Sequence, residues 1–169
     1  MPATTAYIID TSCLTQAHRV YYPFDIAPSF WDFMKLHFTN GNFVFTNKVA
    51  FEIARGNDAL TSWAKDQIPT SAELDCHADA NIMAHYGNIM SWGNAHSQYS
   101  PLAKADFADF DNADPFAVAT ALEKSVIVVS QEISAPLSRK NIKLPDVCSQ
   151  FGIHHMDTFT LLRTFGFTM

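Results

Sequence analysis

Cysteine is sparse in this sequence: Cys13, Cys76 and Cys148 are the whole complement, far apart and odd in number, and no CxxC pair occurs. That excludes a disulfide-stapled secreted scaffold and a thiolate zinc cluster, and fits reduced thiols. The glycine-rich cradles GxGxxG and GxxxxGKS/T are missing as well, so nothing points to a dinucleotide fold or a P-loop. Apolar runs are short, and none approaches the roughly 20 residues that span a bilayer. The opening Met1-Pro2-Ala3-Thr4-Thr5-Ala6 has neither the basic region nor the apolar stretch of a secretory leader, so a cytoplasmic protein without a membrane anchor is expected. Positive charge is scarce too, with 11 Lys and Arg against 17 Asp and Glu, a net charge of −6. Such a chain does not coat nucleic acid non-specifically, since that affinity comes from Lys and Arg on phosphates. An enzyme that meets nucleic acid through metal ions and a small basic patch remains open.

What is abundant is core. Of the 169 residues, 48% are hydrophobic and 13% aromatic, enough for one domain spanning 1–169. A chain of this length buries roughly two-thirds of its unfolded surface. Residues 6–10, Ala6-Tyr7-Ile8-Ile9-Asp10, read as a buried parallel strand that ends abruptly in a carboxylate. An amphipathic helix follows over 29–39, closed by Gly41, then a strand over 43–46 and a helix over 47–55 stopped by Gly56. Helices are expected over 59–67 and from 72 to about 97, with Gly87 and Gly93 as weak points in the second. Asp114-Pro115 reads as the start of a further helix, with Asp114 as its cap. The stretch 125–130 is the strongest strand. A short helix at 146–151, a strand at 153–156 and a last helix from 157 or 158 to Gly166 complete the order. Alternating strands and helices predict an α/β three-layer sandwich around a central, mostly parallel sheet.

In such sheets ligands bind beyond the carboxyl ends of the strands, and the side chains sent there are carboxylates. Asp10 ends the first strand, Glu52 lies in the helix after the second, Asp114 opens a helix, and Glu132 follows the strongest strand. Gathered carboxylates repel one another unless a cation compensates, and hard ions such as Mg²⁺ or Mn²⁺ prefer oxygen ligands. An oxygen-ligand metal site is the inference. Each acid also has a local explanation: Asp10 and Asp114 as helix caps, Glu52 as a partner of Arg55, and Glu132, Asp111 and Asp146 as surface acids. His154 and His155 are neighbours on a strand and point to opposite faces, which argues against a joint metal site. Cys76 and Cys148 read as buried small hydrophobes. Phe107, Phe110 and Phe116 suit either a core or the stacking of bases.

Four segments together resemble a PIN domain over nearly the whole chain. They are Tyr7-Ile8-Ile9-Asp10-Thr11-Ser12, Val49-Ala50-Phe51-Glu52-Ile53, Ala113-Asp114-Pro115-Phe116-Ala117-Val118-Ala119 and Val126-Ile127-Val128-Val129-Ser130-Gln131-Glu132. Lys143-Leu144-Pro145-Asp146-Val147-Cys148 further resembles a PIN-like subfamily of unknown function related to VapC-type toxins. The resemblance implies a metal-dependent ribonuclease with Mg²⁺ or Mn²⁺ in an acidic pocket, where the metal activates water for hydrolysis of RNA. It also implies a toxin restrained by a partner antitoxin, and a homodimer. Asp10, Glu52 and Asp114 match three acidic positions of the family. At the fourth, PIN domains carry Thr or Ser, any residue, then Asp; here the slot reads Ser130-Gln131-Glu132, so Glu132, Asp146 or Asp111 would complete the site. Thr11, Ser12 and Ser130 are implied as supporting or phosphate-contacting hydroxyls. The Glu132 departure favours an alternative, a catalytically silent PIN-like binding or scaffold module. A phosphatase on a similar sheet is a third reading, weakened because Ser12 stands where a second Asp is usual.

Overall fold

In the computed structural model, which describes residues 6–169, the first apolar run forms β1 (Tyr7–Ile9), buried throughout. Met1 to Thr5, read above as lacking a leader, lie outside the described residues. Asp10 closes β1 and caps α1 (Thr11–Gln16), which widens into a π turn over Ala17–Tyr21. Next come α2 (Pro28–Thr39), β2 (Phe43–Thr46), α3 (Asn47–Gly56), α4 (Ala59–Gln67) and β3 (Glu73–Leu74). The chain continues through α5 (Ala80–Ala95), α6 (Pro101–Phe107), α7 (Ala113–Lys124), β4 (Ile127–Val129), α8 (Leu144–Gln150), β5 (His155–Met156) and α9 (Thr158–Thr164).

The five strands run in the order β3-β2-β1-β4-β5, and every neighbouring pair is parallel. Side chains alternate across a strand, so Tyr7 and Ile9 enter one core with Leu14, Phe30, Phe38 and Phe43. Ile8 enters the other with Ile89, Phe116, Val128 and Leu144. The three-layer α/β sandwich expected from the sequence is thus present, with a wholly parallel sheet. Strand order grows from β1 toward β3 on one side and from β4 toward β5 on the other. The crevice beyond the carboxyl ends of β1 and β4 is therefore the switch point where open parallel sheets bind ligands.

Several boundaries differ from expectation for identifiable reasons. The helix expected from 72 to about 97 begins only at Ala80. Asp75 accepts from the His77 amide, and Asp79 from the amides of Asn81 and Ile82, so local side-chain bonds replace helical ones upstream. The segment before them supplies β3, a strand too short to show periodicity. Helix α3 ends on Asn57 in the left-handed conformation (φ 47°) rather than on Gly56. At the other end of α7, Ser125 takes φ 54° as the helix cap, which shortens the strand expected from 125. Helix α6 went unread although Ser100-Pro101 announces it: Ser100 accepts from the Ala103 amide and Pro101 takes the first helical position.

Neither glycine breaks α5, and they occupy it for different reasons. A Cβ on Gly87 would meet nothing within 4 Å, whereas one on Gly93 would meet two ring carbons of Phe107 at 3.1 Å. Gly87→Ala is expected to raise stability by about 0.5–1 kcal/mol. Gly93→Val is expected to lower it by about 1–3 kcal/mol through overpacking. Urea unfolding of the two variants checks both signs.

Candidate metal centre

Asp10 is placed by the sheet itself. Its amide donates to the Val129 carbonyl (2.9 Å), which locks the residue after β1 against the end of β4. The residue is 4% exposed. One carboxylate oxygen, Oδ2, accepts from the Ser12 amide (3.0 Å) and from Ser12 Oγ (2.5 Å). The capping explanation therefore holds, and both of its Ser12 bonds fall on Oδ2 alone. Burial raises the Asp10 pKa above its ordinary value, the Ser12 bonds oppose this, and the charge of Glu132 adds to it. Ser12 Oγ also accepts from the Gln131 amide (3.0 Å), tying the turn after β4 to the start of α1.

Glu52 reaches the same crevice from α3. The Thr11 hydroxyl donates to its Oε2 in a short hydrogen bond, so the residue beside Asp10 orients the second acid. Burial raises the Glu52 pKa, and the charge of Asp10 raises it further, against the opposing Thr11 bond. The Arg55 pairing does not form: that guanidinium lies 5.5 Å from the Phe51 ring centroid. The only other cation one turn away on α3, Lys48, is buried at 6% exposure. Its Nζ sits 3.7 Å from the Phe110 centroid and 4.9 Å from that of Phe116. Phe110 thus covers a buried ammonium, while Phe107 and Phe116 belong to the core.

Asp114 is not the cap of its helix. Asn112 holds that role, its side chain accepting from the Asp114 amide (3.0 Å), and α7 begins at Ala113. The Asp-Pro signal misled because Asn112 offers an equally good cap two residues earlier. Relieved of capping, the Asp114 carboxylate has no hydrogen-bond donor among the described residues. Its pKa is raised well above the usual 3.8, by burial first and then by the charges of Asp10, Glu132 and Glu52, with Lys143 opposing.

Glu132 joins this electrostatic group and is also a structural strut. Its Oε2 accepts from the Leu144 amide (3.1 Å) at the start of α8 and lies 3.9 Å from Lys143 Nζ. The Ser130 hydroxyl accepts from the Glu132 amide (3.3 Å) and pairs with His155 Nε2 (2.8 Å), so Ser130 fixes the turn from inside. The sequence places His155 on the last strand but does not show this pairing, because Ser130 follows the neighbouring strand β4 and is remote in sequence. Asp146 is not brought to the crevice: its oxygens accept from Ser134 Oγ (2.5 Å) and the Ala135 amide (2.9 Å). Asp111 is exposed and hydrogen-bonds through its amide to Asp109.

Asp114 and Glu132 line a cleft of about 160 Å³ together with Asp106, Asn112, Lys140 and Lys143, while Asp10 and Glu52 lie outside its lining. A larger hollow of about 310 Å³ between α3 and α4 is mostly apolar and lies away from these acids. The charges of Asp10, Glu132 and Glu52 all reach Asp114 and, after burial, raise its pKa. Among the described residues no three His, Cys, Asp or Glu side chains are already gathered to ligating distance. The donors are hard oxygens with unused valence on Asp10 and Asp114, which suits Mg²⁺ or Mn²⁺. Binding would require the side chains to converge.

Fold and crevice define an α/β protein with an acidic centre at the carboxyl edge of a parallel sheet. The chain belongs to the family described as Domain of unknown function (DUF4411), which it matches over residues 7–169. Among solved structures it is similar to a chain in the crystal structure of VapBC2 from Rickettsia felis bound to a DNA fragment from their promoter. The TM-score is 0.49 at 10% identity, covering 90% of this chain and 98% of that chain. No curated protein matches. None of the helices among the described residues is long and apolar enough to cross a membrane.

Proposed function

We propose that this protein is a metal-dependent ribonuclease whose Mg²⁺ or Mn²⁺ is held by Asp10, Glu52 and Asp114. The observation that carries this reading is Asp114: a half-buried carboxylate that lines the cleft with no hydrogen-bond donor among the described residues, its pKa raised by burial and then by the charges of Asp10, Glu132 and Glu52. Such an arrangement is costly without a cation. A divalent ion there supplies acidity to water and positive charge to a phosphodiester. The chain's own residues do the positioning. Ser12 fixes Asp10, Thr11 fixes Glu52, and Asn112 frees Asp114 from capping. No protein nucleophile is required. The PIN resemblance of the sequence extends the proposal to a cytoplasmic toxin, acting as a homodimer and restrained by an antitoxin that occludes the cleft.

Glu132 is assigned here to holding α8 and to the field of the site rather than to direct ligation. Glu132→Gln keeps an acceptor for the Leu144 amide. It is expected to weaken Mn²⁺ binding by about tenfold or less, and Asp114→Asn by more than about 100-fold, the two sides of the range for outer partners. Isothermal titration separates them. The function itself is tested by sequencing all new RNA ends after incubating total cellular RNA with the protein, in Mn²⁺ and in chelator. New ends confined to the Mn²⁺ sample support the ribonuclease. Identical end profiles from folded protein favour the silent binding module, for which the strut role of Glu132 is the motivating observation.

A further inference from the structure

The segment 131–143 joins β4 to α8 without regular secondary structure, yet it is pinned along its length. Asp146 accepts from Ser134 and Ala135, and Gln98 Nε2 donates to the carbonyls of Pro136 (2.8 Å) and Ser138 (2.7 Å). The Ser100 amide donates to the Arg139 carbonyl (2.8 Å), and Glu132 takes the Leu144 amide. Long connections of this kind in compact domains are usually functional, and a pinned one presents side chains at fixed spacing.

Three of the chain's 11 Lys and Arg fall within 139–143: Arg139, Lys140 and Lys143. Lys143 is spent on Glu132. Arg139 and Lys140 are exposed, and among the described residues neither side chain has an ion-pair or hydrogen-bond partner. Lys140 lines the same cleft as Asp114 and Glu132. Lys140 thus stands at the lip of an acidic crevice with Arg139 next to it in the strap, on a protein whose net charge of −6 disfavours polyanions overall.

We propose that the 131–143 strap is a clamp for single-stranded RNA, with Arg139 and Lys140 gripping backbone phosphates beside the one presented to the acids. The inference rests on the ribonuclease reading and names the part of the protein that delivers the substrate. A polyanion of phosphodiesters fits both halves of the cleft: its flanking phosphates meet the cations, and its central one meets the position where a divalent ion would sit. Phosphate contacts position a strand without reading its sequence, so the clamp sets affinity and register and leaves selectivity to other contacts.

The test is fluorescence anisotropy of a labelled mixed-sequence RNA strand in chelator, across a tenfold range of KCl, with the wild type and Arg139→Gln/Lys140→Gln. Each phosphate neutralised on a single strand contributes about 0.7 to the slope of log K against log salt. The double variant is expected to bind at least about tenfold more weakly at low salt, with a slope shallower by about 1.4. Equal affinities and slopes for two folded proteins would overturn the clamp. Displacement of RNA by polyglutamate as readily as by unlabelled RNA would also overturn it, assigning the strap to an acidic protein partner. Mn²⁺-dependent cleavage of RNA, measured in parallel on the wild type, distinguishes these failures from failure of the ribonuclease reading. Loss of cleavage sinks that reading, whereas cleavage with unchanged salt slopes sinks only the clamp.

Discussion

Asp10→Asn is expected to abolish metal-dependent cleavage of RNA while leaving the fold intact. Asparagine caps helices as well as aspartate does, so the bond from the Ser12 amide survives and α1 keeps its start. What disappears is one negative charge at the end of β1, at the centre of an electrostatic group that includes Glu52 and Asp114. Removing that charge costs several kcal/mol of stabilisation of the reacting phosphate, about 10³-fold or more in rate. Initial rates on an RNA that the wild type cleaves, with a thermal melt of each protein, provide the check. Full activity in a folded Asp10→Asn protein would remove Asp10 from the site.

The second large effect is on stability, and it runs opposite to the effect on activity. Asp10, Glu52 and Asp114 all have pKa values raised in the folded state, chiefly by burial. A group raised in this way stabilises the fold fully below its unfolded value, near 3.8 for Asp and 4.5 for Glu. That contribution is lost as pH climbs through the raised folded value. Metal-free protein is therefore expected to lose stability as pH rises from the ordinary carboxylate range toward neutrality, relative to Asp114→Asn measured alongside. The comparison is needed because Asp58, held low by the Thr61 amide, and Asp79, held low by Lys124, act in the opposite sense and lose their contribution as pH falls. At neutral pH and without metal, Asp114→Asn is expected to melt above the wild type. Mn²⁺ at about 100 times its dissociation constant adds about 2.7 kcal/mol to the wild type. For a domain of this size that corresponds to roughly 5–10 °C, and the variant should gain much less. Equal melting temperatures of the two proteins at all pH values would show that the crevice carries no stored repulsion.

The sequence disclosed the parts of this arrangement that depend on strong local pattern. The apolar run into Asp10, the strand at 43–46 and the helix bearing Glu52 are set by burial on both faces of a parallel sheet, which leaves little choice of register. Asp114 was legible as an acid near the crevice and illegible in its role. The choice between Asn112 and Asp114 as cap depends on where the chain enters α7, which is a tertiary matter. Asp146 had the right chemistry for a ligand, but its oxygens are claimed by Ser134 and Ala135, contacts formed only once the strap folds over α8. The burial of Lys48 and the pairing of His155 are not legible in the sequence because their partners, Phe110 and Ser130, are remote in it. Arg139 and Lys140 are visible in the sequence as charges; only the fold puts Lys140 at the lip of the acids.

The central claim is that Asp10, Glu52 and Asp114 form a divalent metal centre, and Mn²⁺ titration followed by electron paramagnetic resonance tests it most directly. The signal of the free aqueous ion reports unbound metal without any assumption about substrate. The account predicts saturable Mn²⁺ binding by the wild type at neutral pH, displaced by excess Mg²⁺ and lost in both Asp10→Asn and Asp114→Asn. Saturable binding that persists in both variants, or no binding by the folded wild type, would contradict it.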